Sequence, residues 1–143
     1  MRLRKRSDFF SRHLISDDFM LVSVLYRSIT GRLGCKLTTL LKVLPRDLSA
    51  EVFETLVGKE HVTIERIVSK GHCTPDDSWY CQAQNEWVVI LQGAAKLLYQ
   101  TESGNRVEIA LSVGDYIDIP AYCKHKVLWT DEQVETVWLA VFY

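Results

Sequence analysis

The chain has 143 residues, enough for one domain with a sizeable core and too few for two. With 48% hydrophobic and 24% charged residues it is neither a disordered nor a fibrous polypeptide, and a formal net charge of −1 excludes a general attraction to nucleic acid. The longest uncharged apolar patch of the N-terminal part, Phe19 to Tyr26, falls far short of the roughly 20 apolar residues that span a bilayer, so no transmembrane segment is expected.

Charge is unevenly spread. Residues 1–36 hold eight Lys/Arg against three Asp, whereas 37–143 hold nine against fifteen acidic residues. The division predicts a basic N-terminal extension, residues 1–36, helical or without structure, followed by a mildly acidic domain over 37–143. The extension reads either as a segment without a role or as a basic amphipathic stretch that touches a membrane surface or a partner. Asp8, Arg12, His13, Asp17 and Asp18 interrupt any secretory signal after Met1. Cys35, Cys73, Cys81 and Cys123 form no CxxC pair. Both features point to the reducing cytoplasm.

From Leu37 the pattern firms. Leu37 to Leu44 is a short apolar stretch stopped by Pro45. Leu48 to Leu56, with Ser49 as cap and Val52, Phe53 and Leu56 spaced as on one face, predicts one or two helical turns. Strand signals follow at Val62–Ser69, Glu86–Leu91, Ala95–Tyr99, Val107–Leu111, Tyr116–Ile119, Lys126–Thr130 and Glu135–Tyr143, rich in β-branched and aromatic residues. Turn chemistry separates them at Gly93, Ser103-Gly104-Asn105, Gly114-Asp115, Pro120 and Thr130-Asp131-Glu132. Seven or eight such strands require a closed all-β sandwich or barrel, since an open sheet of that length would expose two edges.

Two motifs narrow the choice. Trp79-Tyr80-Cys81-Gln82 precedes Glu86-Trp87-Val88-Val89-Ile90-Leu91-Gln92-Gly93, and Gly114-Asp115-Tyr116-Ile117-Asp118-Ile119-Pro120 precedes His125. The chain resembles the cupin superfamily in these segments, over roughly residues 60–143. The Glu-to-Gly interval of the first cupin motif is met by Glu86 and Gly93, and the Gly-to-Pro-to-His intervals of the second by Gly114, Pro120 and His125. Tyr122 stands where a second glycine is usual. The likeness is to small single-domain cupins with a Trp-Tyr-x-Gln and Glu-Trp-Val first motif. It implies an all-β double-stranded β-helix, a cupin jelly-roll barrel with short N-terminal helical segments, and a homodimer.

The resemblance also implies a metal site, but the two histidines of the usual first motif are missing; their positions hold Tyr80 and Gln82, or Trp79 and Cys81. Alternation along a strand puts Glu86, Val88 and Ile90 on one face, with Cys81 or Gln82 approaching Glu86, and puts Val127 and Trp129 on the side of His125. The candidate metal residues are therefore Gln82, Glu86 and His125, with Cys81 in the other register. An amide, carboxylate and imidazole suit a divalent ion such as Mn, Fe or Ni, whereas a thiolate favours Zn and brings in Cys123. Without a metal, Glu86 and His125 would form a hydrogen-bonded pair and the two cysteines would be small buried hydrophobes.

His61 and His72 read as surface residues, Lys124 and Lys126 as solvated flanks of His125, and the strand aromatics as core or interface filler. The expected function is binding of a small molecule, through a divalent metal held in the barrel or without one. The alternatives are a metal-dependent enzyme of dioxygenase or isomerase/epimerase type and a non-catalytic dimeric interaction protein, because this fold hosts all three.

Overall fold

The computed structural model describes residues 2–4 and 38–143. The expectations placed on the N-terminal extension, helical segments included, fall largely outside the described residues. Ten strands are formed: β1 (Arg2–Arg4), β2 (Val52–Lys59), β3 (Val62–Ser69), β4 (Ser78–Tyr80), β5 (Glu86–Gln92), β6 (Ala95–Gln100), β7 (Arg106–Leu111), β8 (Tyr116–Ile119), β9 (His125–Thr130) and β10 (Thr136–Phe142). They make two five-stranded sheets, ordered β1-β4-β9-β6-β7 and β2-β3-β10-β5-β8. All pairings are antiparallel except the short β1–β4 contact, which is parallel. The fold is the expected all-β double-stranded β-helix, and no described helix is long and apolar enough to cross a membrane.

One core joins the sheets. Ile67, Val88, Ile90, Trp138, Ala140 and Phe142 from one sheet pack against Ala95, Leu97 and Leu111 from the other. Strand β5 shows the alternation that builds it: Glu86, Val88 and Ile90 turn inward and are buried, while Trp87 and Val89 between them are half-buried. Burial of side chains such as Ile90, Val68 and Val137, each 1% exposed or less, stabilises the fold by about 1.5–3 kcal/mol apiece.

The helical turns expected over Leu48–Leu56 are not there. Val52–Lys59 is instead strand β2, paired antiparallel with β3 from Val52↔Val68 to Lys59↔Val62. The register shifts between Thr55 and Val57, so Leu56 is the extra residue of a bulge. The Ser49 N–H donates to Asp47 Oδ1 at 2.9 Å and starts no helix. Val52, Phe53, Thr55 and Val57 are β-branched or aromatic, and seven residues paired with β3 outweigh a weak local helical preference.

Arg66 anchors the stretch that leads into β2. Its guanidinium is buried and donates to the Leu40 carbonyl at 3.1 Å, to the Val43 carbonyl at 3.0 Å, and through Nε to Glu54 Oε2 at 3.0 Å. Residues 40–43, which carry no secondary structure of their own, are thereby tied to the barrel.

Candidate functional site

The inner end of the barrel holds a polar group set in apolar walls. Glu86 opens β5 and His125 opens β9, so each is the first inward-facing residue of its strand. Both side chains are buried, and His125 Nε2 lies 3.4 Å from Glu86 Oε2. Gln82, just beyond β4, donates from Nε2 to the same carboxylate oxygen at 2.7 Å. The other imidazole nitrogen, Nδ1, is 3.0 Å from the Cys123 carbonyl. A carbonyl can only accept, so this contact places a proton on Nδ1 and turns Nε2 toward Glu86. Tyr80, paired with His125 across the β4–β9 ladder, lays its ring 5.6 Å from the imidazole.

The first motif therefore brings Gln82, and not Cys81, to Glu86. Cys81 Sγ lies 3.4 Å from the Tyr122 carbonyl and is absent from the cavity wall. Cys123 directs its thiol to the Gln100 carbonyl at 3.6 Å, and burial, with a smaller contribution from neighbouring Cys81, pushes that thiol above its usual range. A raised pKa disfavours the thiolate that metal ligation needs. Among the described residues no three His, Cys, Asp or Glu side chains form a metal-holding group.

A cavity of about 40 Å³ adjoins this polar end. Its wall carries Tyr80, Glu86 and His125 together with Phe53, Val88, Leu97, Ile119, Val127 and Trp138, and on the β2 side Glu51. That is room for an ion and a water, or for one end of a larger ligand. Glu51 carried no signal in the sequence, because the helical reading of Leu48–Leu56 hid the strand that aims it inward. Its partner Ser69 is 18 positions away, a separation that only sheet pairing closes.

Two flanking residues sit differently from expectation. Trp129 does not share the inward side of His125 and Val127: β9 pairs Val127 with Leu97 but Trp129 with Lys96, and the bulge at Leu128 turns Trp129 outward to 39% exposure. Lys126 is not a solvated flank. It is 5% exposed, its Nζ donates to the Asp76 carbonyl at 3.1 Å, and it lies 5.6 Å from the Trp79 ring, which Arg106 also approaches at 5.5 Å. His61 is exposed, as expected, and His72, whose Nδ1 accepts from the Lys70 N–H at 2.9 Å, is not part of the cavity wall.

Tyr122 explains how a bulky residue occupies a position where glycine is usual. Its φ is +64°, the left-handed region, and it is the only described non-glycine residue there. The turn it serves is closed by the Cys123 N–H to the Pro120 carbonyl at 3.1 Å, and its own N–H donates to the Gln82 carbonyl at 2.7 Å. The strained turn thus fixes the backbone of both Gln82 and the segment entering His125.

No protein-family model matches the chain, and no curated protein is similar to it at a significant level. Solved structures are similar. A putative mannose-6-phosphate isomerase from Ralstonia eutropha is 34% identical, with 76% of this chain and 97% of that chain covered and a TM-score of 0.70. Oxalate decarboxylase of Bacillus subtilis, studied for its Mn(II) centres, is 19% identical with a TM-score of 0.51; the match spans 58% of this chain but only 21% of the decarboxylase. An RmlC-like cupin from Methanocaldococcus jannaschii with a double-stranded β-helix is 21% identical, with 70% and 85% covered and a TM-score of 0.53. The last two establish likeness of fold, and the Ralstonia protein adds common sequence over nearly its whole length: the chain belongs to the cupin superfamily.

Proposed function

We propose that the chain is a small single-domain cupin that binds a small molecule at the inner end of its barrel, with a divalent cation seated among Gln82, Glu86 and His125. The orientation of the imidazole carries this reading. Because Nδ1 faces the Cys123 carbonyl, Nε2 points at a carboxylate oxygen 3.4 Å away in a buried site. The two atoms face each other stably only with positive charge between them, a metal ion or a proton on Nε2.

The donors fit a cation. An ion between His125 Nε2 and Glu86 Oε2, which lie 3.4 Å apart, would be within reach of both. Half a turn about its terminal bond gives Gln82 an amide oxygen as third donor. Imidazole, carboxylate and amide suit Mn, Fe, Ni or Zn, and such an ion, when bound, polarises an oxygen of the ligand. Tyr80 and the apolar wall keep bulk water from the site, while the Cys123 carbonyl holds the imidazole in one tautomer.

Elemental analysis of the purified protein, before and after exposure to each of the four ions, tests the reading. About one ion per chain is expected in the wild type and none in Glu86→Ala or His125→Ala. A wild type that rejects all four would mean that a proton on Nε2 supplies the charge and that the site is a hydrogen-bonded pair.

The Ralstonia relative supports a second reading, an isomerase in which Glu86 and His125 move a proton. The 40 Å³ cavity admits only part of a hexose phosphate, which places this reading behind simple binding. Conversion of mannose 6-phosphate by the metal-loaded wild type, absent in His125→Ala, would reverse that order.

A further inference from the structure

On the outer side of β5 and β8 stands an aromatic group that the cavity does not use. Glu86 and Ile119 turn from these two strands into the cavity wall, whereas their neighbours Trp87 and Asp118 turn outward as a direct cross-strand pair. Tyr116, two residues before Asp118 and so on the same face, stacks on Trp87 with ring centroids 5.5 Å apart and planes 34° from parallel. Tyr143, just beyond β10, donates from its hydroxyl to Asp118 Oδ1 at 3.1 Å. Its backbone is tied to Asn85 by two hydrogen bonds of 3.0 and 3.2 Å. Three rings thus gather around one carboxylate.

Tyr116 is 64% exposed and Tyr143 49%, too open to the solvent for either to serve as core. Asp118 is exposed as well, and among the described residues no lysine, arginine or histidine pairs with it. The hydrogen bond to Asp118 pushes the Tyr143 phenol above its usual range, so that hydroxyl stays a donor at neutral pH. It takes up part of one carboxylate oxygen and leaves acceptor capacity and charge on the other.

Hydration decides which ligand such a face prefers. A compact, strongly hydrated cation loses more water than the rings return. A cation clad in methyl groups holds water weakly, lays its apolar surface on the rings, and brings its charge to both the ring quadrupoles and the carboxylate. A neutral molecule of the same shape gains the apolar contact alone.

We propose that the face formed by Trp87, Tyr116 and Tyr143 around Asp118 is a second binding site, for an organic cation of the alkylated ammonium class. It lies on the other side of the sheet from the barrel cavity and is independent of what the cavity holds. The probe is choline, titrated into the full-length protein while the indole N–H resonance of Trp87, assigned with Trp87→Phe, is followed. Neohexanol, the neutral analogue of the same shape, and ammonium chloride, the charge without the methyl groups, are the comparison probes.

Choline is expected to shift the resonance saturably and to bind about tenfold more tightly than either comparison probe. Asp118→Asn should weaken choline by about three- to tenfold and leave neohexanol unchanged. Tyr116→Leu, which keeps apolar area but removes a ring, should weaken choline by a similar factor, and Tyr116→Phe should bind it as the wild type does. Equal binding of choline and neohexanol would reduce the face to an apolar patch and overturn the proposal. Loss of choline in Asp118→Asn but not in Tyr116→Leu would leave plain ion pairing and overturn it too. So would a wild type that ignores choline, with a mass in light scattering that falls in Tyr116→Leu identifying the face as a contact between copies of the chain.

Discussion

Gly93, in the turn between β5 and β6, offers a direct check on how tightly the barrel closes. Its φ is +75°, and a Cβ built on it would lie 2.7 Å from Thr136 Oγ1, 2.8 Å from Thr136 Cα and 2.9 Å from the Glu135 carbonyl oxygen. Two of these three atoms are backbone and cannot rotate aside. Thr136 is itself fully buried, its hydroxyl donating to the Ala94 carbonyl at 3.0 Å. Gly93→Ala therefore combines left-handed backbone strain of about 1–2 kcal/mol with displacement of packed backbone, a further cost of about 1–3 kcal/mol. Gly114 is the control: its φ is +89° but no atom lies within 4 Å of its would-be Cβ, so Gly114→Ala carries the strain alone. At roughly 4 °C per kcal/mol, Gly93→Ala should lower the melting temperature by about 8–20 °C and Gly114→Ala by about 4–8 °C. Urea unfolding of both variants, followed by the fluorescence of the four tryptophans, measures the difference. Equal losses would refute the clash and with it the close approach of β10 to the β5–β6 turn.

Other perturbations probe other parts of the molecule. Trp138→Phe should cost about 1–3 kcal/mol by removing the donor to Ser69, and a double-mutant cycle with Ser69→Ala should return a coupling of about 1 kcal/mol; zero coupling would contradict that buried hydrogen bond. Arg66→Lys gives up the planar fork that reaches the Leu40 and Val43 carbonyls, and faster amide exchange over residues 40–46 with β10 unchanged is the expected signature. The N–H groups of Gln133 and Val134 hold the Asp131 carboxyl below its usual range. A depressed folded value means stabilisation that is present above the ordinary Asp range and is lost as pH falls through the folded value, so the melting-temperature gap between wild type and Asp131→Asn should shrink on acidification from pH 7 to pH 3. A gap that widens on acidification would contradict those hydrogen bonds. The cupin likeness also suggests a homodimer, and light scattering should then give twice 16.5 kDa; a monomer at all concentrations sinks that expectation.

Strand content was readable locally because period-2 alternation and turn residues act over a few positions. Val62–Ser69 and Tyr116–Ile119 occupy the strands expected of them, and Glu86, Val88 and Ile90 face inward as a group. The local pattern of Leu48–Leu56 fits helix and strand alike, and only the ladder to β3 decides between them. Trp129 faces outward, against its expected side, for a related reason, since one bulged residue reverses every side chain beyond it and leaves no mark in composition.

The candidate site divides along the same line. The motif spacings by themselves determined the barrel class and singled out Glu86 and His125, because strand alternation and turn glycines are short-range constraints written residue by residue. Tertiary structure decided what faces them. It brought Gln82 to Glu86 and sent Cys81 to the Tyr122 carbonyl, fixed the imidazole through the Cys123 carbonyl, and aimed Glu51 into the cavity through Ser69 and Trp138. Such contacts join residues as many as 69 positions apart in different strands, and they exist only once sheet register sets which side chains share an interior.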